Sequence, residues 1–207
     1  MLEISQALLL FTFSTSITPG PNNVMMLASG LNYGIKRSLL HLVGIAVGFT
    51  FMVLVVGAGF GLLFTRYPHI HEVIKIAGLI YLLILAWRIA TTVPKGLDGS
   101  NRLPLNFVQA ALFQWLNPKA WMMATSGVAT FLNAGEGQTF QLLQIAGTFM
   151  LASFTCTGSW LVFGAALKHV LNKPQYMQIF NLVMAGLLLL SIMPTLRQLI
   201  NTYFITT

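Results

Sequence analysis

Two proline-containing motifs inside apolar stretches hold the residues best suited to bind a small charged molecule. The first is Thr18-Pro19-Gly20-Pro21-Asn22-Asn23, in which two prolines flank a glycine. Each proline removes a backbone donor and clashes with the preceding turn, so this segment cannot form one unbroken helix. The break frees carbonyls near residues 14–17, and the helix that restarts at Pro21 has free N–H groups that favour a carboxylate. The amides of Asn22 and Asn23 add donors and acceptors.

The second motif is Asn117-Pro118-Lys119. Lys119 comes 12 residues into an apolar block that begins at Phe107, or about 18 Å along a helix. A lysine at that depth in a membrane costs a few kcal/mol, which favours a functional role. We expect Lys119 to bind a substrate carboxylate or to exchange a proton. The alternatives are that it extends to the lipid headgroups or binds carbonyls freed by Pro118.

The composition places both motifs in a membrane protein. Of 207 residues, 56% are hydrophobic and 7% are charged, whereas a soluble domain carries about 25% charged residues. The mean hydropathy is +0.78. The single cysteine, Cys156, excludes a disulfide within the chain and a cysteine-based zinc cluster. We expect one transmembrane transporter domain over residues 1–207, made only of α-helices.

Six apolar blocks have the length of about 20 residues that a spanning helix needs. They cover residues 4–31, 39–64, 73–91, 107–132, 140–167 and 176–199. The two proline motifs fall inside the first and fourth blocks, so helices one and four are predicted to be broken. The first break could instead mark the end of a membrane helix, but residues 24–31 are again apolar and the first basic residue is Lys36. The longest connection, residues 92–106, is polar and is predicted to be a mobile loop.

The basic residues predict the orientation of these helices. Seven lie in or beside loops one, three and five: Lys36, Arg37, Arg88, Lys95, Arg102, Lys168 and Lys173. Three lie on the other side: Arg66, Lys75 and Arg197. Because cytoplasmic loops are enriched in Lys and Arg, both termini are predicted to face outward. Residues 1–17 hold no basic residue, so the first block is expected to remain as a membrane helix.

An internal repeat relates the two halves, about 1–95 and 104–207. A shift of 97 residues aligns Pro21 with Pro118, and five of the ten positions from there to Gly30 and Gly127 are identical. A second match pairs Ala77-Gly78-Leu79 with residues 185–187 at a different shift. Halves of three helices each must be inverted relative to one another, which is typical of secondary transporters. The alternative is chance similarity between apolar segments.

The two motifs, together with Gly34-Ile35-Lys36-Arg37-Ser38, resemble those of the lysine-exporter (LysE/RhtB-type) family, and the length and six-helix layout are similar over the whole chain. The resemblance implies an inner-membrane exporter of amino acids or their derivatives that is driven by the proton motive force. Many members resemble Pro-Gly-Pro-Asp at the first motif. Asn22 at that position is more similar to the branch that exports cysteine and O-acetylserine.

The position of the acidic residues predicts the class of substrate. Glu3, Glu72, Asp98 and Glu136 all lie at block ends or in loops, so a dicationic substrate would lack a counter-charge in the membrane. We therefore expect a secondary transporter that exports small neutral amino acids and is not an enzyme, with protons as coupling ion and no cofactor. Its glycine-rich helix faces are compatible with a homodimer. The alternatives are a metal or inorganic-ion exporter, which needs a buried cluster of ligands, and a membrane scaffold.

The predicted binding residues are those of the two motifs. The N-terminus at Pro21 and Lys119 are expected to bind the carboxylate, and the Thr18 carbonyl and nearby amides the ammonium; the full set is Thr18, Pro19, Gly20, Pro21, Asn22, Asn23, Asn117, Pro118 and Lys119. His41 follows a basic pair and could relay protons, although an interfacial histidine is the simpler interpretation. Gly44 and Gly48 are predicted to allow close helix packing.

Overall fold

The computed structural model describes residues 6–60, 67–91, 103–133, 135, 137–167 and 174–201. These residues are almost all helical and contain no strand, which confirms the all-α prediction for the described part of the chain. The α-helices are α1 (Gln6–Ile17), α2 (Pro21–Val55), α3 (Pro68–Ala90), α4 (Phe107–Phe113), α5 (Pro118–Phe131), α6 (Gln138–Ala152), α7 (Gly158–Leu167) and α8 (Pro174–Ile200). A 3₁₀ turn (Gln114–Leu116) follows α4, and π-helical turns follow α2 (Val56–Phe60) and α6 (Ser153–Thr157).

Three helical stretches of the described residues are long and apolar enough to cross a membrane. They are Pro21–Gly59, Gln138–Leu167 and Gln178–Arg197. Two shorter apolar stretches, Gln6–Ile17 and Phe107–Leu116, precede the two proline motifs. The three long stretches support a multi-pass membrane protein, since about 20 apolar residues suffice for one crossing.

Gly34 divides the longest of these stretches. Its φ of 76° and ψ of 175° interrupt helix α2, and only glycine adopts this conformation without strain. The Ser29 hydroxyl lies 3.0 Å from Nδ1 of His41, whereas residues 12 apart in a straight helix are about 18 Å apart. The segments before and after Gly34 therefore fold back on each other, which confirms a break between the predicted apolar blocks 4–31 and 39–64.

Both proline motifs break their helices, as predicted. Helix α1 ends at Ile17, Gly20 is fully extended with φ of −171°, and α2 begins at Pro21. In the second motif, Asn117 is extended with φ of −88° and ψ of 107°, and α5 begins at Pro118. Proline suits the first position of a helix because its missing N–H group has no partner there in any case.

The helix boundaries follow the register of the sequence repeat. The restarts at Pro21 and Pro118 are 97 residues apart, and so are the starts of the two π-helical turns at Val56 and Ser153. π-Helical turns are rare and often occur at functional sites. Their recurrence at the same offset extends the similarity of the two halves well beyond the ten residues aligned by sequence.

Glycines let the helices around the first motif approach closely. A Cβ on Gly44 would lie 2.5 Å from the carbonyl oxygen of Phe107, and one on Gly48 would lie 2.5 Å from Cα of Ala111. The predicted close packing at these two glycines is thus confirmed, with α4 as the partner. Gly164 in α7 meets the backbone of Leu27 in the same way.

Several residues used for the orientation lie outside the described part of the chain. These are Arg66, Lys95, Arg102, Lys168 and Lys173, together with most of the predicted mobile loop, residues 92–102. Lys36 and Arg37 are described and are exposed directly after Gly34. The placement of the termini stays a prediction.

Candidate functional site

The backbone carbonyls freed by the first break all have partners. The buried amide of Asn23 donates from Nδ2 to the carbonyl oxygens of Ser16 and Thr18, both at 2.8 Å. Nε1 of Trp160 donates to the carbonyl oxygen of Ile17 at 3.1 Å. The carbonyls of Ser16 and Ile17 lie in the expected range of residues 14–17, and the carbonyl of Thr18 extends that range by one residue. Asn23 acts as a clamp that fixes the shape of the break.

The ammonium group of Lys119 joins the two breaks. Its Nζ donates to the carbonyl oxygen of Thr18 at 2.6 Å and to the Thr18 hydroxyl at 2.7 Å, with the carbonyl of Pro19 at 3.5 Å. The Thr18 hydroxyl in turn donates to the carbonyl of Thr15 at 2.8 Å, which leaves its lone pairs for the lysine. Lys119 does bind freed carbonyls, but those of the other break rather than its own.

A second contact joins the two breaks, and here a side chain from the first break reaches a residue beside the second. Nδ2 of Asn22 donates to Oε1 of Gln114 at 2.8 Å, and Nε2 of Gln114 donates to Oδ1 of Asn22 at 3.1 Å. Gln114 is fully buried and also donates to the carbonyl of Ala110 at 2.9 Å. Asn22 and Lys119 are equivalent positions of the repeat. Each is the second residue of a restarted helix, and each extends its side chain to the opposite break.

The two restarted helices differ at their N-termini. Oδ1 of Asn117 accepts a hydrogen bond from the backbone N–H of Lys119 at 3.1 Å, so α5 is capped. Helix α2 begins after Gly20 and has no side-chain cap. Because the first turn of a helix has no internal acceptors for its N–H groups, the start of α2 remains an electropositive group that can bind an anion.

A small cavity lies between the two breaks. Its volume is about 30 Å³, enough for one or two waters. The lining residues are Ser16, Gly20, Asn22, Asn23, Phe49, Asn117, Lys119, Ala120, Met123, Ser153 and Thr157. The buried hydroxyl of Ser16 has no hydrogen-bond partner. An amino acid cannot enter this cavity unless Lys119 or a neighbouring helix moves, so the structure has the site in a closed arrangement.

The structure brings most of the predicted residues together. Gly20, Asn22, Asn23, Asn117 and Lys119 line the cavity. Thr18 and Pro19 contact the lysine from outside it. Pro21 and Pro118 begin their helices and do not line the cavity.

Comparisons with known proteins identify similar sequences. The family model described as LysE type translocator matches residues 13–193. The cysteine/O-acetylserine efflux protein of Escherichia coli O139:H28 (strain E24377A / ETEC) is 31% identical over 183 residues, which is 86% of this chain and 90% of the relative. The proteins of the same name in Escherichia coli (strain K12) and Shigella flexneri serotype 5b (strain 8401) are 31% identical over 182 residues, with the same coverage. No solved structure matches the chain.

The chain belongs to the LysE-type translocator family. The resemblance carried by the two proline motifs is thereby confirmed. Both motifs fall inside the matched region, since it begins at residue 13 and ends at residue 193. The family consists of proteins that move solutes across membranes, which agrees with the long apolar helices described above.

In this LysE-type translocator, sequence reasoning missed the residues that complete the site from other helices. Gln114 and Thr157 contact Asn22 and Asn23 of the first motif, and Trp160 bonds the carbonyl directly before that motif. None of the three belongs to a proline motif. The hydroxyl of Thr157 donates to Oδ1 of Asn23 at 3.2 Å. The repeat offers a signal for one of them, since Thr157 lies in the π-helical turn 97 residues after the first one.

A metal site has no support in the described part of the translocator. No group of three His, Cys, Asp or Glu side chains lies close enough together there to hold a metal ion. Cys156 is buried, and its thiol contacts the carbonyl of Phe13 at 3.7 Å. The cavity instead holds one ammonium group among amides and hydroxyls, which suits an organic zwitterion.

Proposed function

We propose that this protein is a secondary transporter that exports small neutral amino acids or their derivatives, of the cysteine and O-acetylserine class, from the cytoplasm. The relatives, 90% of whose length is matched by this chain, are named cysteine/O-acetylserine efflux proteins. The proposal includes coupling to the proton motive force, an inner-membrane location and no catalytic activity. A homodimer is compatible with this proposal but is not needed for the site.

One observation carries the proposal: the ammonium of Lys119 is held by the carbonyl and hydroxyl of Thr18, across the cavity between two broken helices. This contact is polar, reversible and placed where a substrate carboxylate would compete for the same ammonium. The uncapped start of α2 offers a second group for the carboxylate. If the substrate carboxylate binds the ammonium of Lys119, the Thr18 carbonyl loses this donor and can accept a hydrogen bond from the substrate ammonium.

The proposed substrate is a zwitterion because the site offers the ammonium of Lys119 to a carboxylate and neutral carbonyl and amide oxygens to a substrate ammonium. The cavity is lined by Lys119 and otherwise by uncharged side chains. A substrate with a second positive charge would need a buried acid as partner, because an unpaired charge is costly to bury. The hydroxyls of Ser16, Ser153 and Thr157 suit a short side chain with a polar or sulfur-containing end.

The helix lengths support six membrane crossings in two inverted halves. Helix α1 and the part of α2 before Gly34 add to about 38 Å, and α4, its 3₁₀ turn and α5 add to about the same length. Each broken pair is therefore long enough to cross a hydrocarbon core of about 30 Å. We propose one transport domain with halves of about 1–95 and 104–207, whose pseudo-two-fold axis passes between the breaks, and termini on the outer side.

The experiment that tests this proposal is transport by purified protein in liposomes. Vesicles are loaded with unlabelled amino acid, and the entry of labelled cysteine or O-acetylserine is followed by counterflow, with the other standard amino acids as competitors. We expect counterflow of the two named compounds and of other small neutral amino acids, and none of lysine or arginine. Counterflow of cationic amino acids alone would contradict the proposal.

Two variants with matched controls connect transport to the site. Lys119→Ala and Asn22→Ala each remove one contact between the breaks, and both are expected to abolish or strongly reduce counterflow. Lys36→Ala is a control for loss of a lysine because Lys36 is exposed. Asn32→Ala is a control for loss of an amide, since Nδ2 of Asn32 donates within its own helix, to the carbonyl of Ala28 at 2.7 Å. Normal transport by both site variants would refute the site.

A further inference from the structure

A second buried polar cluster lies apart from the candidate site, where the two segments of α2 meet. His41 is 1% exposed, Ser29 is 6% exposed and Ser38 is fully buried. Nδ1 of His41 lies 3.0 Å from the Ser29 hydroxyl, so one of the two ring nitrogens has a hydrogen-bond partner. Among the residues that the structure describes, its Nε2 has no hydrogen-bond partner, and neither has the Ser38 hydroxyl. The interpretation of His41 as an interfacial residue is therefore wrong, because the side chain is enclosed by protein.

Two buried polar atoms without hydrogen-bond partners, on neighbouring side chains, need an explanation. Native proteins pair nearly all buried polar groups, and the exceptions tend to have a functional reason. Ser38 and His41 are three residues apart on one helix, so their side chains share a face. An ionisable residue inside a membrane bundle is costly and is a functional-site candidate by default, with proton transfer as a common role.

The surroundings of His41 hold no acid in the described residues. The elements packed against α2 are α4, α5, α6, α7, α8, the 3₁₀ turn and the two π-helical turns. The ionisable side chains of α2 and of these elements are Tyr33, Lys36, Arg37, Lys119, Cys156, Tyr176 and Arg197. Lys36, Arg37, Tyr176 and Arg197 are exposed, and Lys119 binds Thr18 at the first break. An imidazolium in this arrangement would thus be a buried charge without a counter-ion.

Ser29 ties this cluster to the candidate site. It lies six residues after Asn23 on the segment of α2 that precedes Gly34, about 9 Å along the helix. The same segment begins at the uncapped N-terminus beside the cavity. His41 lies on the segment after Gly34, so the contact between Ser29 and His41 joins the two segments of α2 across the interruption at Gly34. A change at His41 therefore acts on the segment that holds Asn22 and Asn23.

We propose that His41, with Ser29 and Ser38, forms the proton-binding site that couples transport to a proton gradient. This inference rests on the proposed function. In the closed arrangement, Nδ1–H of the neutral imidazole donates to Ser29 and the lone pair of Nε2 is free. Uptake of one proton at Nε2 converts the imidazole to an imidazolium, which the dry pocket disfavours. Protonation thus favours an arrangement in which the two segments separate and Nε2 reaches water, and release of that proton restores the closed contact.

The test separates the movement of substrate from its coupling to protons. Purified protein in liposomes is assayed with O-acetylserine in two modes: counterflow at equal pH on both sides, and uptake driven by an interior more acidic than the exterior. The variants are His41→Gln and His41→Asn, whose amides can still bond Ser29 but cannot titrate. Ser38→Ala is a third variant, and Thr50→Val is its control, since Thr50 is on the same helix and its hydroxyl is also buried and unpartnered.

We expect His41→Gln or His41→Asn to keep counterflow within about twofold of wild type, the range of a mild substitution, and to lose gradient-driven uptake to the level of empty liposomes. Ser38→Ala should shift the pH at which driven uptake is half-maximal, whereas Thr50→Val should not. Driven uptake that persists in both His41 variants would overturn the inference, and so would a parallel loss of both modes in variants that elute as folded protein. Wild-type protein without any counterflow of O-acetylserine would instead refute the proposed function.

Discussion

Replacing Gly20 by alanine tests whether the position of the Lys119 ammonium controls transport. A Cβ at Gly20 would lie 2.6 Å from Cδ and 3.1 Å from Nζ of Lys119, whereas carbon atoms in contact stay about 3.5–4.0 Å apart. The backbone at Gly20 has φ of −171°, which alanine also adopts. The substitution therefore adds one methyl group against the lysine without straining the main chain.

The size of the effect follows from the distances. Relief of the clash needs a shift of about 1 Å, and this moves Nζ beyond hydrogen-bond reach of a carbonyl oxygen. Nζ now lies 2.6 Å from the Thr18 carbonyl oxygen and 2.7 Å from its hydroxyl. A hydrogen bond to a charged group contributes about 1.5–3 kcal/mol, so we expect counterflow to fall about tenfold or more.

Two controls make the Gly20→Ala measurement decisive. Gly147→Ala adds a methyl group where no atom lies within 4 Å, and it should transport normally. In a Lys119→Ala background the clash is absent, so Gly20→Ala should have little further effect, as expected for coupled sites. Counterflow of Gly20→Ala at the wild-type rate, or equal losses in both backgrounds, would refute the argument that Gly20 acts through Lys119.

Three further predictions concern the framework of the site. Asn23→Leu takes the donor from the buried Ser16 carbonyl and one of the two donors from the Thr18 carbonyl, and it should lower the melting temperature in detergent, because an unpaired buried group costs about 1–3 kcal/mol; Asn22→Leu, the neighbouring amide, should lower it less. Gln114→Leu removes the partner of Asn22 and should slow counterflow while melting changes little; unchanged counterflow would contradict this. Gly164→Ala places a methyl group against the backbone of α2, so we expect no folded protein in size-exclusion chromatography. Gly158→Ala should fold, because the added Cβ lies at the ordinary contact distance of 3.7 Å from the nearest side chain.

The sequence predicts the helices and both breaks well because the causes are local. Proline within an apolar stretch ends a helix whatever surrounds it, so α2 and α5 begin at Pro21 and Pro118 as expected. Gly34 in a polar turn likewise gives the expected interruption.

The partners across the site are not predictable from the sequence because they depend on tertiary packing. Nothing near Gln114 in the sequence indicates that its amide pairs with Asn22, 92 residues earlier. The expected binding of Lys119 to carbonyls of its own break is the local alternative, and packing replaces it with Thr18. His41 follows two exposed basic residues, which suggests an interface, yet the fold of α2 at Gly34 buries it.

The central claim is that Lys119 binds the carboxylate of a small zwitterionic amino acid. Its most direct test compares the affinities of wild type and Lys119→Met for cysteine and for cysteamine, the same molecule without the carboxylate. We predict that wild type prefers cysteine by about tenfold or more, as a charged hydrogen bond implies, and that Lys119→Met loses most of this preference. An undiminished preference for cysteine in Lys119→Met would contradict the account.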